Sequence, residues 1–122
     1  MIGYVTLGTN DLARAAKFYD ALLQEIGGKR TLESDRFVSW SAGEHSPGLG
    51  VIKPFDGKAA THGNGTMVAL IVDSREKVDK LYRKALELGG ADEGAPGARW
   101  GNFYVGYFRD LDGNKLNAFV MG

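Results

Sequence analysis

Tyr4–Leu23 reads YVTLGTNDLARAAKFYDALL, and Met67–Leu86 reads MVALIVDSREKVDKLYRKAL. Shifting the chain by 63 residues lays the first stretch on the second: Val5 meets Val68, Leu7 meets Leu70, Lys17 meets Lys80 and Tyr19 meets Tyr82. Identities are few, but the pattern is the same. Each stretch opens with side chains that alternate in polarity, meets a short polar cap, continues with helical spacing, and runs on to a glycine pair, Gly27-Gly28 or Gly89-Gly90. A repeat of this length marks a supersecondary unit used twice.

Alternation fixes the strand faces, because successive side chains of a strand point to opposite sides. Val5 and Leu7 share one face, with Tyr4 and Thr6 on the other. In the second half Val68, Leu70 and Val72 oppose Met67, Ala69 and Ile71. The first helix starts near Asn10-Asp11, whose side chains can accept unpaired backbone N–H groups. Its apolar stripe is Ala15, Phe18, Leu22 and Ile26. The second opens with Asp73-Ser74-Arg75-Glu76, read as a capping box, and its stripe is Val78, Leu81, Ala85 and Leu88. Glycine enters the left-handed conformation of a helix C-cap without penalty, so the glycine pairs end both helices.

Strands follow each helix. The first half offers Lys29–Glu33, Arg36–Ser41 and Leu49–Phe55. The second offers an ill-defined stretch near Ala91, then Asn102–Phe108 and Lys115–Met121. Asp110-Leu111-Asp112-Gly113-Asn114 joins the last two as a tight turn. The expected architecture is α+β, two βαβββ modules at about 1–55 and 66–122 joined by the linker 56–65, in one domain spanning 1–122.

Composition narrows the function. Lys plus Arg and Asp plus Glu both number 15 in 122 residues, so there is no electrostatic footprint for nucleic acid or an anionic membrane. There is no cysteine, which excludes disulfides, thiol nucleophiles and cysteine-held metals. The N-terminal stretch reads as neither a signal peptide nor a membrane anchor, and a cytoplasmic location is expected. HGNG at 62–65 is not a phosphate loop, since no Lys-Ser/Thr follows and a strand comes next. No serine sits in a GxSxG context.

The opening YVTLGTNDLARAAKFY, the closing FRDLDGNKLNAF and the middle block GNGTMVALIVDSREKVDKLYRKALELGGADEGAPG together resemble the vicinal oxygen chelate superfamily of glyoxalases, bleomycin-resistance proteins and dioxygenases. The resemblance covers nearly the whole chain. It implies two βαβββ modules curling their sheets around a cleft. It also implies a metal site of two histidines and usually two glutamates, whose dication polarises vicinal oxygens of a substrate. Carried over one at a time, the first-strand histidine falls on Tyr4 and its second-half equivalent on Met67. The final-strand glutamate falls on Asn117, and the remaining ligand lies in Leu49–Phe55, which holds no acid or histidine. A phenol of pKa about 10, a soft thioether and a neutral amide leave no anion to offset a dication. No metal and no cofactor are therefore expected. His45 and His62 are read as exposed loop residues.

By alternation Tyr4, Thr6, Met67, Ala69, Asn117 and Phe119 should line the cleft, a mixed apolar and polar wall suited to a small molecule. The stretch 93–100 reads as a glycine-rich loop in which Arg99 could clamp a ligand carboxylate and Trp100 could cap an aromatic or cationic ligand; a surface ion pair is the simpler reading of Arg99. Trp40 and Tyr104 are read as core before contact, and Arg109 and Asp110 as turn and ion-pair residues. The site is thus expected at Tyr4, Thr6, Met67, Arg99 and Asn117. Three readings stay open: a metal-independent protein sequestering a small organic ligand, an enzyme of lyase, isomerase or dioxygenase type, and a scaffold with a filled cleft. The expected partners are a small molecule and a second copy of the chain in a homodimer.

Overall fold

The computed structural model describes residues 1–122. β1 (Tyr4–Gly8) leads to α1 (Leu12–Gln24), followed by β2 (Lys29–Glu33), β3 (Phe37–Ser41) and β4 (Gly48–Ile52). The pattern repeats as β5 (Val68–Ile71), α2 (Arg75–Glu87), β6 (Ala91–Arg99), β7 (Phe103–Arg109) and β8 (Lys115–Met121). The chain divides into two compact units, Met1–His62 and Gly63–Gly122. Much of the stretch read as a linker is tied to the first unit: the Ala60 backbone N–H donates to Asn10 Oδ1 at 2.7 Å, and Asn10 Nδ2 donates back to the Ala60 carbonyl.

Both sheets have the same topology, with strand orders β1-β4-β3-β2 and β5-β8-β7-β6. β1 runs parallel to β4 and β5 parallel to β8; the other pairings are antiparallel. A parallel pair needs a long crossover, and in each module the helix lies within it. The expected α+β fold of two βαβββ modules is what the chain adopts.

The helix termini form largely as the sequence implies. Asp11 accepts from the Arg14 N–H and Ser74 from the Lys77 N–H. Because the third residue after Ser74 is Lys77, the cap is a simple one and not the reciprocal box read at 73–76. At the other ends the Gly28 N–H reaches the Leu23 carbonyl and the Gly90 N–H reaches Ala85, both at 2.8 Å. Gly27 (φ +80°) and Gly89 (φ +99°) make that reversal. Ile26 lies beyond α1 and Leu88 is the C-cap of α2, so neither extends a buried stripe. The stretch 93–100 is corrected more fully: most of it is strand, residues 91–99 forming β6, with register shifts between Asp92 and Gly94 and between Gly94 and Gly97. Bulges hid its alternation.

Each helix covers one face of its sheet. In the first module Phe18, Tyr19 and Leu22 of α1 are buried, as are Leu7, Val38, Trp40, Leu49 and Val51 of the sheet. Tyr19 packs on Trp40 with ring centroids 5.6 Å apart. Asp20 then ties α1 to two strands, accepting from Trp40 Nε1 at 2.9 Å and from Arg30 Nε and Nη2 at 2.9 and 2.7 Å. In the second module Val78, Leu81 and Ala85 are buried, with Phe108, Leu116 and Ala118. The Tyr104 hydroxyl donates to Asp79 Oδ1 and the Tyr82 hydroxyl to Asp92 Oδ1. Trp40 and Tyr104 thus both serve the helix side, and Arg109 pairs with Glu93. Buried Asp110 organises the last turn by accepting the backbone N–H groups of Asp112 and Asn114 and the Asn114 amide. No helix is long and apolar enough to cross a membrane.

The Asp20 node sets a pH dependence. The hydrogen bonds and charge of Arg30, with help from Trp40, hold its carboxyl below the usual carboxylate range. A group depressed on folding contributes stability above its unfolded pKa and loses it as pH falls through its folded value. We therefore expect Asp20→Asn to cost about 1 kcal/mol at pH 7, discounted for partial exposure, and the difference from the parent to hold down to about pH 4, the unfolded carboxyl range, and to shrink as pH falls below it. Urea unfolding of both proteins across pH 3–7 checks this; a difference that grows towards acid would contradict it.

Candidate functional site

With a helix on one face of each sheet, the other face stays open. In the first module this open face carries Tyr4 and Thr6 from β1, Phe37, Ser39 and Ser41 from β3, and Gly48, Gly50 and Ile52 from β4. Thr6, Gly50 and Ser39 lie in one cross-strand row. Thr31, at the irregularity of β2, shares a 2.7 Å hydrogen bond with Ser39 across the sheet. The result is a floor of small hydroxyl side chains with no charge in it.

Gly50 decides what lies on that floor. A Cβ there would come within 2.5 Å of Phe37 Cε2 and 2.9 Å of Cζ, so the Phe37 ring occupies the space a side chain at 50 would fill. Tyr4, Leu32, Phe37 and Ile52 give the walls an apolar character, and the cavity they share with Thr6, Thr31 and Ser39 has a volume of about 1010 Å³. Lys29 and Glu44 are its charged lining residues. Ser41 Oγ is turned to the backbone, bonded to the Gly43 and Ser46 carbonyls.

The second module builds its open face differently. Ala69, Asn117 and Tyr107 form the row equivalent to Thr6, Gly50 and Ser39. Asn117 is 2% exposed. Its Nδ2 donates a weak bond to Met67 Sδ at 3.8 Å, while its Oδ1 has no partner. Arg99 lies along β6 and β7, Nη1 donating to the Gly97 and Val105 carbonyls at 3.1 and 2.6 Å and Nη2 to the Ala95 carbonyl at 3.0 Å. Its guanidinium also stacks over Tyr107. Three of its five N–H groups thus satisfy carbonyls around the bulge, and two remain for anything else.

The sequence-expected residues therefore fall on open faces in two sets: Tyr4 and Thr6 in the first module's cavity, and Met67, Asn117 and Arg99 in the second module. Sequence reading missed Phe37, Thr31 and Ser39. The period-two run Phe37-Ser39-Ser41 carried a signal for a hydroxyl-bearing face. Nothing in the sequence announced that the Phe37 ring rests on Gly50. Nowhere do three or more His, Cys, Asp or Glu side chains converge in a group able to hold a metal ion.

A family model described as the Glyoxalase/Bleomycin resistance protein/Dioxygenase superfamily matches residues 1–118. Among solved structures, a glyoxalase/bleomycin resistance protein from Albidiferax ferrireducens T118 is 33% identical, with TM-score 0.90 over 100% of this chain and 99% of its own. A hypothetical protein from S. aureus is 29% identical, with TM-score 0.76 over 98% and 92%. A lactoylglutathione lyase from Agrobacterium tumefaciens, at 21% identity and TM-score 0.70 over 98% and 92%, shares the fold. No functionally curated protein matches the chain with significant similarity.

The Phe37 platform is testable on its own. Gly50→Ala should lift the ring from the sheet at a cost of about 1–2 kcal/mol for overpacking. The ring edge, not the backbone, is what has to move first. Unfolding in urea and the aromatic NMR signals of Phe37 check this. Unchanged Phe37 signals in the folded variant would show that the ring does not depend on Gly50.

Proposed function

This chain belongs to the glyoxalase/bleomycin resistance protein/dioxygenase superfamily, and from that premise we propose that it binds and sequesters a small organic molecule without a metal ion. The observation that carries the reading is the first module's cavity, with its uncharged hydroxyl floor and flat Phe37 wall. Its volume falls at the upper end of the range of small-molecule sites, and a mostly apolar lining with a few placed polar groups is their usual chemistry. We propose that Tyr4 and Thr6 contact the ligand there. On the second module the proposed contacts are Met67, Asn117 and the two N–H groups that Arg99 retains.

Superfamily enzymes work through a bound dication, and the residues of this chain do not fit one. The first-strand position is the phenol of Tyr4, and its equivalent, immediately before β5, is the thioether of Met67. On β4 the open-face positions are Gly48, Gly50 and Ile52, and on β8 the position is the Asn117 amide. A hard cation selects charged oxygen and imidazole ligands, and none stands at these places. Space near the β4 position is taken by the Phe37 ring.

Binding is favoured over catalysis by what the cavity side chains already do. Thr31 and Ser39 bond to each other, and Ser41 bonds to two carbonyls. No imidazole lines the cavity to activate any of these hydroxyls, so the activated nucleophile that such chemistry needs is not assembled. We also propose that the protein is a cytoplasmic homodimer, closed two-fold association being the commonest assembly.

Three measurements test this. A thermal-shift screen of small organic molecules should raise the melting temperature, with stabilisation of about 2.7 kcal/mol at a hundred times the dissociation constant. Thr6→Val and Ser39→Ala should each weaken a hit several-fold, and unchanged binding in both would place the ligand elsewhere. Elemental analysis of dialysed protein should find far less than one divalent metal per chain; a stoichiometric metal lost on changing Asn117 would overturn the metal-free reading. Light scattering should give twice the monomer mass, and a clean monomer at micromolar concentration would reject the dimer.

A further inference from the structure

An asparagine or aspartate side chain can close a ring with the backbone nitrogen that follows it. The next residue must lack a bulky side chain, its N–H must be free, and the segment must be able to turn. Glycine supplies the first and the last. The Asx-Gly pairs of this chain are Asp56-Gly57, Asn64-Gly65 and Asp112-Gly113, and the structure separates them. The Gly57 N–H donates to the Pro54 carbonyl and the Gly113 N–H to the Asp110 carbonyl, both at 3.1 Å. Asp56 is engaged as well, its Oδ1 accepting the Lys58 N–H at 2.9 Å. In these two pairs the nitrogen is held in a turn.

Asn64-Gly65 is different. Residues 61–67 are all exposed. Neither the Gly65 N–H nor the Asn64 amide has a hydrogen-bond partner in the protein. Nothing lies within 4 Å of the place a Cβ at Gly65 would take. Gly63 and Gly65 hold φ at +67° and +95°, so Asn64 sits between two residues that turn without steric penalty. The other asparagines are protected. Asn10 is tied twice to Ala60, Asn114 is buried against Asp110, Asn117 is buried, and Asn102 precedes the bulky Phe103. The exposed pair also falls where the chain passes from the first compact unit, ending at His62, to the second, beginning at Gly63. No core residue lies in 61–67, so neither core restrains the segment.

We propose that Asn64-Gly65 is a self-modifying site at the junction of the two units. The Gly65 backbone nitrogen gives up its proton and attacks Asn64 Cγ. The N–Cγ bond forms, the Cγ–Nδ2 bond breaks, and the side-chain nitrogen leaves as ammonia with that proton. Water then opens the resulting five-membered succinimide at either of its ring C–N bonds, giving aspartate or isoaspartate. Nothing is oxidised or reduced. Either product turns a neutral amide into a carboxylate, so a chain whose formal charges balance acquires one net negative charge. The isoaspartate product also adds a methylene to the backbone that joins the units. The site goes beyond the binding reading and does not rest on it.

The full-length protein, kept folded at mildly alkaline pH, tests this. Ammonia release, anion-exchange chromatography and mapping of the tryptic peptide 59–75 follow the reaction. A synthetic peptide of the same residues gives the rate for an unrestrained chain. The result expected is one ammonia per chain, released with first-order kinetics at a rate within a few-fold of the peptide's. The mapped peptide should appear in two acidic forms of equal mass, aspartate and isoaspartate. Gly65→Ala should slow the reaction several-fold, and Asn64→Gln should abolish it over the same period, both variants keeping the parent's melting curve. A rate in the folded protein far below the peptide's would show that the segment protects Asn64, and overturns the proposal. Product that is aspartate alone overturns it too, since direct hydrolysis of the amide makes no isoaspartate. Isoaspartate arising at Asp56 or Asp112 as fast as at Asn64 would show that a free amide is not what selects the site.

Discussion

The parallel register of the first strand of each module against its fourth is the constraint on which the rest depends. Thr6 stands opposite Gly50, and Ala69 opposite Asn117. Two neighbouring parallel strands cannot be joined by a tight turn, so the chain must leave the sheet, cross one face as a helix and return through two antiparallel strands. That crossover covers one face of each sheet and buries Trp40 or Phe108 beneath it. The opposite face is left to the alternate residues of the same strands. Core and open face are therefore interleaved in sequence, Val5 and Leu7 on one side, Tyr4 and Thr6 on the other. A substitution on the open face can leave the helix-side core one residue away untouched.

This interleaving explains what was legible beforehand. The two-fold repeat, the N-caps at Asp11 and Ser74 and the face of each residue in β1 and β5 can be read from local pattern, and they emerge in the structure as the sequence implies. The placement of Asn117 on the open face could be read the same way. β6 could not, because its bulges shift the register twice and break the alternation that marks a strand. With the strand read as a loop, the part Arg99 plays in its own module could not be seen: its guanidinium bonds carbonyls around the bulge. The relation of Phe37 to Gly50 was out of reach for a different reason. It joins positions 13 residues apart through a diagonal contact across two strands, and nothing in local pattern encodes such a pair.

The two modules show how one scaffold diverges once its halves are free to differ. The equivalent rows, Thr6-Gly50-Ser39 and Ala69-Asn117-Tyr107, exchange small hydroxyl and glycine positions for an amide and a phenol ring. Both retain an irregularity in the edge strand at that row, where Thr31 reaches Ser39 in one module and Gly94 packs under Tyr107 in the other. The backbone device is kept while the chemistry changes. In the first module the missing side chain at Gly50 makes room for an aromatic ring from a neighbouring strand. In the second the side chain is present, and its amide brings a buried oxygen that the module itself does not satisfy.

A glycine and an amide at equivalent places have opposite energetic consequences. Removing the side chain, as at Gly50, forfeits no hydrogen bond, since the space is filled by Phe37 and the hydroxyls nearby bond to one another or to backbone. Keeping a polar one, as at Asn117, leaves an acceptor whose desolvation is uncompensated, at a cost on the order of 1–3 kcal/mol. An apolar residue of similar shape at 117 would spare the module that cost.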